Sequence, residues 1–262
     1  MQGGLIRMRP EERQRQILQL LRAIQREWTV DELAGSFQVT PMTIRRDLAQ
    51  LESQGVVIRT HGGCISVIHS GFESVYQLRV ASNFMLKQAI GESASKLIHD
   101  GQNILILDSS TTYHLASNLG NHRNLTVYTN SIAMITELAK FPDLDIYVLG
   151  GRYNRNMLFL EGSLTHGILQ GIRFDNVYIS VDAVDAKGNC LVFNHDTARM
   201  IQIILQQAKK KTLLADHTKV DSEGNVICCQ LSDLDLWITT PGIAEGRLKI
   251  YKSLTEVIQV TV

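Results

Sequence analysis

Residues 29–63 read TVDELAGSFQVTPMTIRRDLAQLESQGVVIRTHGG. Thr29 with Glu32 three places on forms a capping box, so a short helix starts there, with Val30, Leu33, Ala34 and Phe37 as its apolar face. Gln38 and Val39 make a tight turn. Thr40 caps the next helix and Pro41 takes its first position, where a missing N–H costs nothing. Ile44, Leu48 and Leu51 recur at i, i+4, i+7 and form that helix's buried stripe, and Gly55 is a C′ stop. Two β-prone runs then flank Thr60, His61, Gly62 and Gly63, which predicts a hairpin. Upstream, Ile17, Leu20, Leu21 and Ile24 repeat at helical spacing. Helix, helix, short turn, helix and hairpin together are a winged helix-turn-helix.

The stripe leaves Met42, Thr43, Arg45, Arg46 and Gln50 on the outer face of the third helix. Arginines that grip guanine edges or phosphates, and small polar groups near a helix N-terminus, suit the DNA major groove. Thr40 and Pro41 at that N-terminus suit a backbone phosphate. Arg59 and His61 would put donors on the wing. Arg45 and Arg46 alone would read as a solvated helix face; the combination with a wing is far more specific. Asp47 reads as an ion-pair partner for an arginine, not as a base reader.

Around this stretch the chain has 262 residues, enough for one or two domains, and its 44% hydrophobic and 20% charged content fits an ordinary globular protein. No apolar run approaches the ~18–20 residues of a membrane span. The N-terminus has no apolar h-region, so a cytoplasmic protein without a secretory leader is expected, with Met8 an alternative start. Net charge is zero, but residues 1–60 hold nine arginines, no lysine and seven acids, a weak basic bias. Cys64, Cys190, Cys228 and Cys229 fit no metal or redox spacing and read as reduced packing residues, and the eight histidines show no metal-ligand spacing. No metal, cofactor or catalytic residue is assigned.

Residues 66–86 show no sustained period and read as a linker into a helix that runs from about 87 to 98. Strands at 104–107, 125–128, 146–149, 177–181, 212–215, 236–239 and 257–260 then alternate with helices at 111–119, 131–140, 163–170, 198–209 and 247–253. This predicts a mostly parallel, Rossmann-like α/β domain with ligands at the carboxyl ends of its strands. Polar residues collect at those ends: Asp108, Ser109, Ser110, Thr111 and Thr112; Asn130 and Ser131; Gly150, Gly151 and Arg152; Asp182 and Asp185; Asp216 through Lys219. Hydroxyls and N–H groups suit a phosphate, and carboxylates suit sugar hydroxyls. No GxxxxGK[ST] or GxGxxG loop is present, which argues against nucleoside triphosphates and dinucleotides. Lys209, Lys210 and Lys211 are expected at a helix C-terminus, offsetting its dipole.

Residues 30–63 resemble the N-terminal signature of the DeoR family of bacterial transcriptional regulators, through the TIRRDL helix and the R-x-H-G-G wing. Thr40 stands where the family usually has Ser, an equivalent cap. From about residue 75 onward, LDSSTT, VYTNS, VLGGRY, the Gly162 region and LLADHTK resemble that family's sensor domain, which is similar in fold to ribose-5-phosphate isomerase. The resemblance implies a DNA-binding domain over 1–65, a linker over 66–86, and an effector-sensing and oligomerising domain over 87–262. It implies a repressor of carbohydrate-metabolism genes, assembled as a homodimer or homotetramer on a double-stranded operator, away from membranes. It also implies a phosphorylated sugar effector held by the loop from Asp108 to Thr112 and by the Asp216–Lys219 region with Lys219, and the strand-end reading adds Asn130, Gly150, Gly151, Arg152 and Asp182 to that pocket. Three positions depart from the family pattern: Ser110 and Ala183 replace glycines, and Ile201, followed by Gln202, stands at a helix lysine. Arg152, Arg199 or Lys219 are candidates to restore the lost charge. The effector is then an unusual sugar phosphate, a less charged metabolite, or absent. Two alternatives follow: an isomerase-like enzyme with Asp182, Asp185 or Asp216 as base, or an effector-independent DNA-binding protein.

Overall fold

The computed structural model describes residues 8–23, 27–53, 57–60, 62–66, 76, 79–80, 82–155 and 157–261. Ile24, Gly55 and His61, and most of the expected linker, lie outside the described residues. The chain divides into two compact units, Met1–Phe84 and Met85–Val262.

In the first unit, α1 (Pro10–Ala23), α2 (Val30–Phe37) and α3 (Pro41–Ser53) pack around Ile17, Leu21, Leu33, Ile44, Leu48 and Leu51, all at most 1% exposed. The capping box forms: Glu32 N–H donates to Thr29 Oγ1 (3.1 Å) and Thr29 N–H to Glu32 Oε2 (2.8 Å). Gln38 ends α2 in the left-handed region (φ 51°), which makes the turn tight. At the head of α3, Thr43 N–H donates to Thr40 Oγ1 (3.3 Å).

The wing is larger than a hairpin. β1 (Trp28–Thr29) adds to β2 (Val57–Arg59) and β3 (Gly63–Ser66), giving an antiparallel sheet in the order β1-β3-β2. Two residues before a helix carry no strand period, so β1 is invisible to pattern reading. Its trace is Gly63: opposite Thr29 in register, a Cβ there would come within 1.9 Å of the Trp28 carbonyl oxygen.

The second unit centres on a seven-stranded parallel sheet, with β15 (Glu256–Gln259), β14 (Leu236–Thr239), β12 (Ala208–Leu214), β9 (Phe174–Ile179), β4 (Asn103–Ile106), β5 (Leu125–Thr129) and β6 (Leu144–Val148) in that spatial order. From β4 the chain steps outward through β5 to β6, then returns to β9 on the other side. The switch point is therefore the crevice between β4 and β9, where a parallel sheet binds ligands. One face buries α4 (Phe84–Ser95), α5 (Ser110–Ala116) and α6 (Ile132–Leu138) through Ile90, Leu115 and Met134. The other buries α7 (Ser163–Gln170), α8 (His195–Gln207) and α9 (Glu245–Leu254) through Leu169, Ile204 and Tyr251.

Several readings need correction. α4 spans Phe84–Ser95, beginning and ending about three residues before the expected 87–98. Arg152 does not lie in an open loop: β7 (Arg152–Asn154) pairs with β8 (Phe159–Glu161) in an antiparallel ribbon. A small sheet of β10 (Ala183–Val184), β11 (Asn189–Val192) and β13 (Val226–Gln230) was not expected, and it holds Cys190, Cys228 and Cys229 as buried free thiols. Lys209, Lys210 and Lys211 do not close a helix. α8 stops at Gln207, Ala208 is already extended, and the lysines are the first half of β12, with Lys210 and Lys211 paired to Asn176 and Val177. Lys209 Nζ instead donates to Asp175 Oδ1 (2.8 Å), whose other oxygen accepts from Asn103 N–H, so one carboxylate links β4, β9 and β12.

Candidate functional site

In the first unit the core stripe of α3 sets which side chains face outward. Met42 is 64% exposed, Pro41, Arg45 and Arg46 are exposed, and Thr43 is half-buried with its hydroxyl 2.9 Å from that of Thr40. Arg59 is exposed on β2. Asp47 is 2% exposed, and its arginine is on α1: Arg13 Nε donates to Oδ2 (2.5 Å) and Nη2 to Oδ1 (3.1 Å). Gln14 Nε2 donates to the same Oδ1 (3.1 Å) and to Gln50 Oε1 (2.9 Å). Gln50, expected only as an outward residue, is thus tied to α1 as well as exposed.

In the second unit the loop after β4 runs along the switch-point crevice. Ser109 caps α5, its oxygen accepting from Thr111 N–H (3.2 Å) and Thr112 N–H (3.0 Å). The Thr112 hydroxyl is fully buried and donates to the Leu107 carbonyl (2.7 Å). Thr111 is 1% and Ser110 7% exposed. Much of the hydroxyl run therefore builds the loop. Asp108 and Ser109 are its half-buried members. Asn130 is a clamp: its Oδ1 accepts from Asp108 N–H (2.9 Å) and its Nδ2 donates to the Leu160 carbonyl (3.0 Å). Ser131 Oγ donates to Asp108 Oδ1 (2.5 Å). The structure thus brings Asp108, Asn130 and the ribbon strand β8 together.

Gly150 and Gly151 serve the chain's own packing. Thr165 Oγ1 donates to the Gly150 carbonyl (2.7 Å), and a Cβ on Gly151 would sit 2.1 Å from that hydroxyl. Arg152, the first residue of β7, donates across the ribbon to its register partner Glu161, at Oε1 (2.5 Å). Glu161 is 1% exposed and also accepts from Asn154 Nδ2 and Asn194 Nδ2 (3.2 Å each), so it joins the ribbon to the start of α8. Sequence reasoning missed Glu161. The available signal was its period-2 alignment with buried Phe159.

On the far side of the crevice, Asp182 accepts from Phe193 N–H (3.1 Å). Asp185 is spent on its own turn. Burial raises its pKa, but bonds from Asn189 and from the Lys187 N–H outweigh this and hold the carboxyl below its ordinary range. Asp216 is fully buried; its Oδ1 accepts from Thr218 N–H (2.9 Å), and its Oδ2 has no hydrogen-bond partner among the described residues. Lys219 is half-buried at the end of that turn. Ile201 is fully buried in the core, and Gln202 lines a groove with Lys211 and Asp235, at the end of β12 away from the crevice. In this chain the Ile201 side chain is committed to core packing.

A winged helix-turn-helix followed by an α/β unit with polar loops at its switch point defines a class: DNA-binding transcriptional regulators with a sensor domain. Residues 13–70 match the DeoR-like helix-turn-helix domain and residues 82–240 the DeoR C terminal sensor domain, and the chain belongs to the DeoR family. It is 36% identical over 234 residues to the HTH-type transcriptional repressor GlcR of Bacillus subtilis (strain 168), covering 88% of this chain and 89% of that protein. It is 32% identical over 200 residues to the HTH-type transcriptional repressor CsqR of Escherichia coli (strain K12), covering 75% of each. Among solved structures, a D-ribose-5-phosphate isomerase in complex with phospho-erythronic acid matches 52% of this chain and 54% of its own, at 19% identity and a TM-score of 0.39.

Proposed function

We propose that this chain represses carbohydrate-metabolism genes by binding an operator through α3 and the wing, and releases or changes its grip when the second unit binds a phosphorylated sugar. The observation that carries the DNA reading is α3 itself. Its inward stripe is consumed by the core, while Met42, Arg45 and Arg46 stand exposed on a helix whose N-terminus is free of acidic residues. Thr40, Pro41 and Thr43 at that N-terminus suit a phosphate, and Gln50, Arg59 and His61 complete the assigned contacts. The DNA-binding domain is read as 1–65, the linker as 66–86 and the sensor as 87–262.

The effector reading rests on the β4/β9 crevice. Asp108, Ser109 and Ser110 on one side, Asp182 on the other, and Lys219 beyond are assigned to the ligand. Thr111, Thr112, Asn130, Gly150 and Gly151 are assigned to shaping the loops that hold it. Arg152 is assigned to the phosphate in company with Glu161. We read the assembly as a cytoplasmic homodimer or homotetramer, because one small winged unit buries little DNA surface and paired half-sites multiply affinity. We read the second unit as a sensor and not as an isomerase.

Arg45→Ala or Arg46→Ala should each weaken operator binding by about 1–3 kcal/mol with the fold retained by circular dichroism, and operator affinity should fall steeply with salt. Unchanged binding in both variants, or a flat salt dependence, would refute the recognition-helix reading. Turnover of ribose 5-phosphate or a hexose phosphate by the purified chain would overturn the sensor reading in favour of an enzyme.

A further inference from the structure

We propose that two copies of this chain join along the open edge of β6, antiparallel, about a twofold axis beside Ile146. The inference rests on the reading of the chain as a homo-oligomer and names the surface that makes it one.

β6 ends the seven-stranded sheet. Among the described residues, β5 pairs with one side of it and no strand pairs with the other. Such an edge is a template for another strand, and soluble proteins usually blunt it with lysine, proline or a bulge. β6 has none of these: it reads LDIYV, and its register with β5 runs from Leu144 to Val148 without a shift. It exposes apolar side chains instead. Tyr147 is 48% and Val148 40% exposed. Leu164 of α7, 63% exposed, lies over the turn that follows, where a Cβ on Gly150 would be 3.7 Å from its Cδ2. The Tyr147 ring is stacked on that of Tyr128, centroids 4.7 Å apart, so it is already held against the sheet. The opposite edge, β15, carries none of the exposed large hydrophobic residues.

The occupant follows from the strand itself. Leu149 N–H donates to the Thr129 carbonyl (2.8 Å) on β5. Successive residues of a strand turn their backbone groups to alternate sides, so Tyr147 and Asp145 also turn to β5, and Ile146 and Val148 turn N–H and C=O outward. When Ile146 faces the Ile146 of a second, antiparallel copy, the two exchange both hydrogen bonds. Val148 then faces Leu144 of the copy, apolar against apolar. Asp145, the one charge on β6, faces Tyr147 of the copy and not itself, so no like charges meet across the pair. In this register the strand is complementary to itself, as an isologous twofold interface requires. A stable interface draws on about 20–30 residues a side, so the start of α7 with Leu164 belongs to it as well.

The test is sedimentation and disulfide crosslinking of the full-length chain. Ile146→Pro removes an N–H that faces away from β5, and should halve the mass of the assembly with the fold retained by circular dichroism. Val148→Lys, a charge on the same edge, should do the same and serves if the proline variant folds poorly. Asp145→Cys/Tyr147→Cys sets thiols of the two copies opposite each other, at the ~4.5 Å Cα spacing of a non-hydrogen-bonded pair. Oxidation by diamide should turn most of it into a covalent dimer, while wild type and either single change stay uncrosslinked. An assembly of unchanged mass in folded Ile146→Pro and Val148→Lys would overturn the edge pairing and leave the oligomer to another surface. So would a double-cysteine variant that assembles like wild type and does not crosslink. A wild type that sediments as a monomer would refute the homo-oligomer reading itself, and the inference with it.

Discussion

Asp47 joins α3 to α1 through a buried ion pair with Arg13. A buried ion pair gains little net stability over apolar packing, because both charges leave water, but removing one partner strands the other. Asp47→Ala leaves the Arg13 guanidinium, 7% exposed, with the Met8 carbonyl as its one remaining acceptor among the described residues. It should cost about 3–5 kcal/mol in urea unfolding. The paired change Arg13→Met with Asp47→Leu should recover most of that loss. A paired variant as unstable as the single one would mean that packing geometry, not the stranded charge, sets the cost. Gly63 makes the parallel case for backbone: Gly63→Ala forces a Cβ into the Trp28 carbonyl and should detach β1 from the wing. Thermal melting of the isolated change should show a loss of more than ~1 kcal/mol, above the ordinary surface range; a loss within ~0.5 kcal/mol would mean that β1 shifts at little cost.

At the scale of elements, what pattern reading recovered and what it missed have separate physical causes. The three helices of the wing unit and all seven parallel strands were legible, because apolar periodicity and caps such as Thr29 with Glu32 act locally. β1, the β7–β8 ribbon and the β10-β11-β13 sheet were not, because strands of two to five residues leave no period, and β1 and β13 owe their pairing to partners more than thirty residues away. The lysine triplet misled for the same reason. Its helix reading rested on the residues before it, while its strand is imposed by β9. That correction has a testable side. The Lys209 ammonium, then the Asn103 N–H, hold the Asp175 carboxyl below the usual carboxylate range. A depressed folded pKa contributes stability above the unfolded value, about 3.9, that is lost as pH falls through the folded value. Lys209→Met should raise the Asp175 pKa in a carboxyl NMR titration and move the acid limb of unfolding to higher pH. An unmoved Asp175 titration would show that the exposed lysine contributes nothing there. In the candidate site, the strand ends were legible, but the division of labour was not. Ser109 reads as a ligand hydroxyl by composition and is a helix cap in three dimensions. Ser109→Ala should therefore cost about 1 kcal/mol of stability even without any ligand.

At the scale of the molecule, a repressor works only if ligand and operator are coupled, and coupling requires the ligand to favour one state over another. The two units are each complete, with separate cores around Leu33 and Leu48 in one and Val177 and Ile204 in the other. A ligand in the β4/β9 crevice therefore cannot act by finishing the fold of the DNA-reading unit. On the proposed function the ligand favours one state of the chain over another, and reciprocity then requires operator DNA to change the ligand's affinity by the same factor. Sugar phosphates and their unphosphorylated sugars, screened by thermal shift on the full chain, provide the measurement. The matching effector at 100 times its dissociation constant should stabilise the chain by about 2.7 kcal/mol. Asp108→Asn keeps the shape of a side chain that accepts from Ser131, so it should remove most of that shift and leave ligand-free operator binding unchanged. The free sugar should give a smaller shift than its phosphate if Arg152 and Lys219 meet the phosphate. Equal shifts from both would move the site away from those two cations. A full shift in Asp108→Asn would exclude the β4 loop as the ligand's floor. A shift without any change in operator affinity would make the second unit a binding domain uncoupled from DNA.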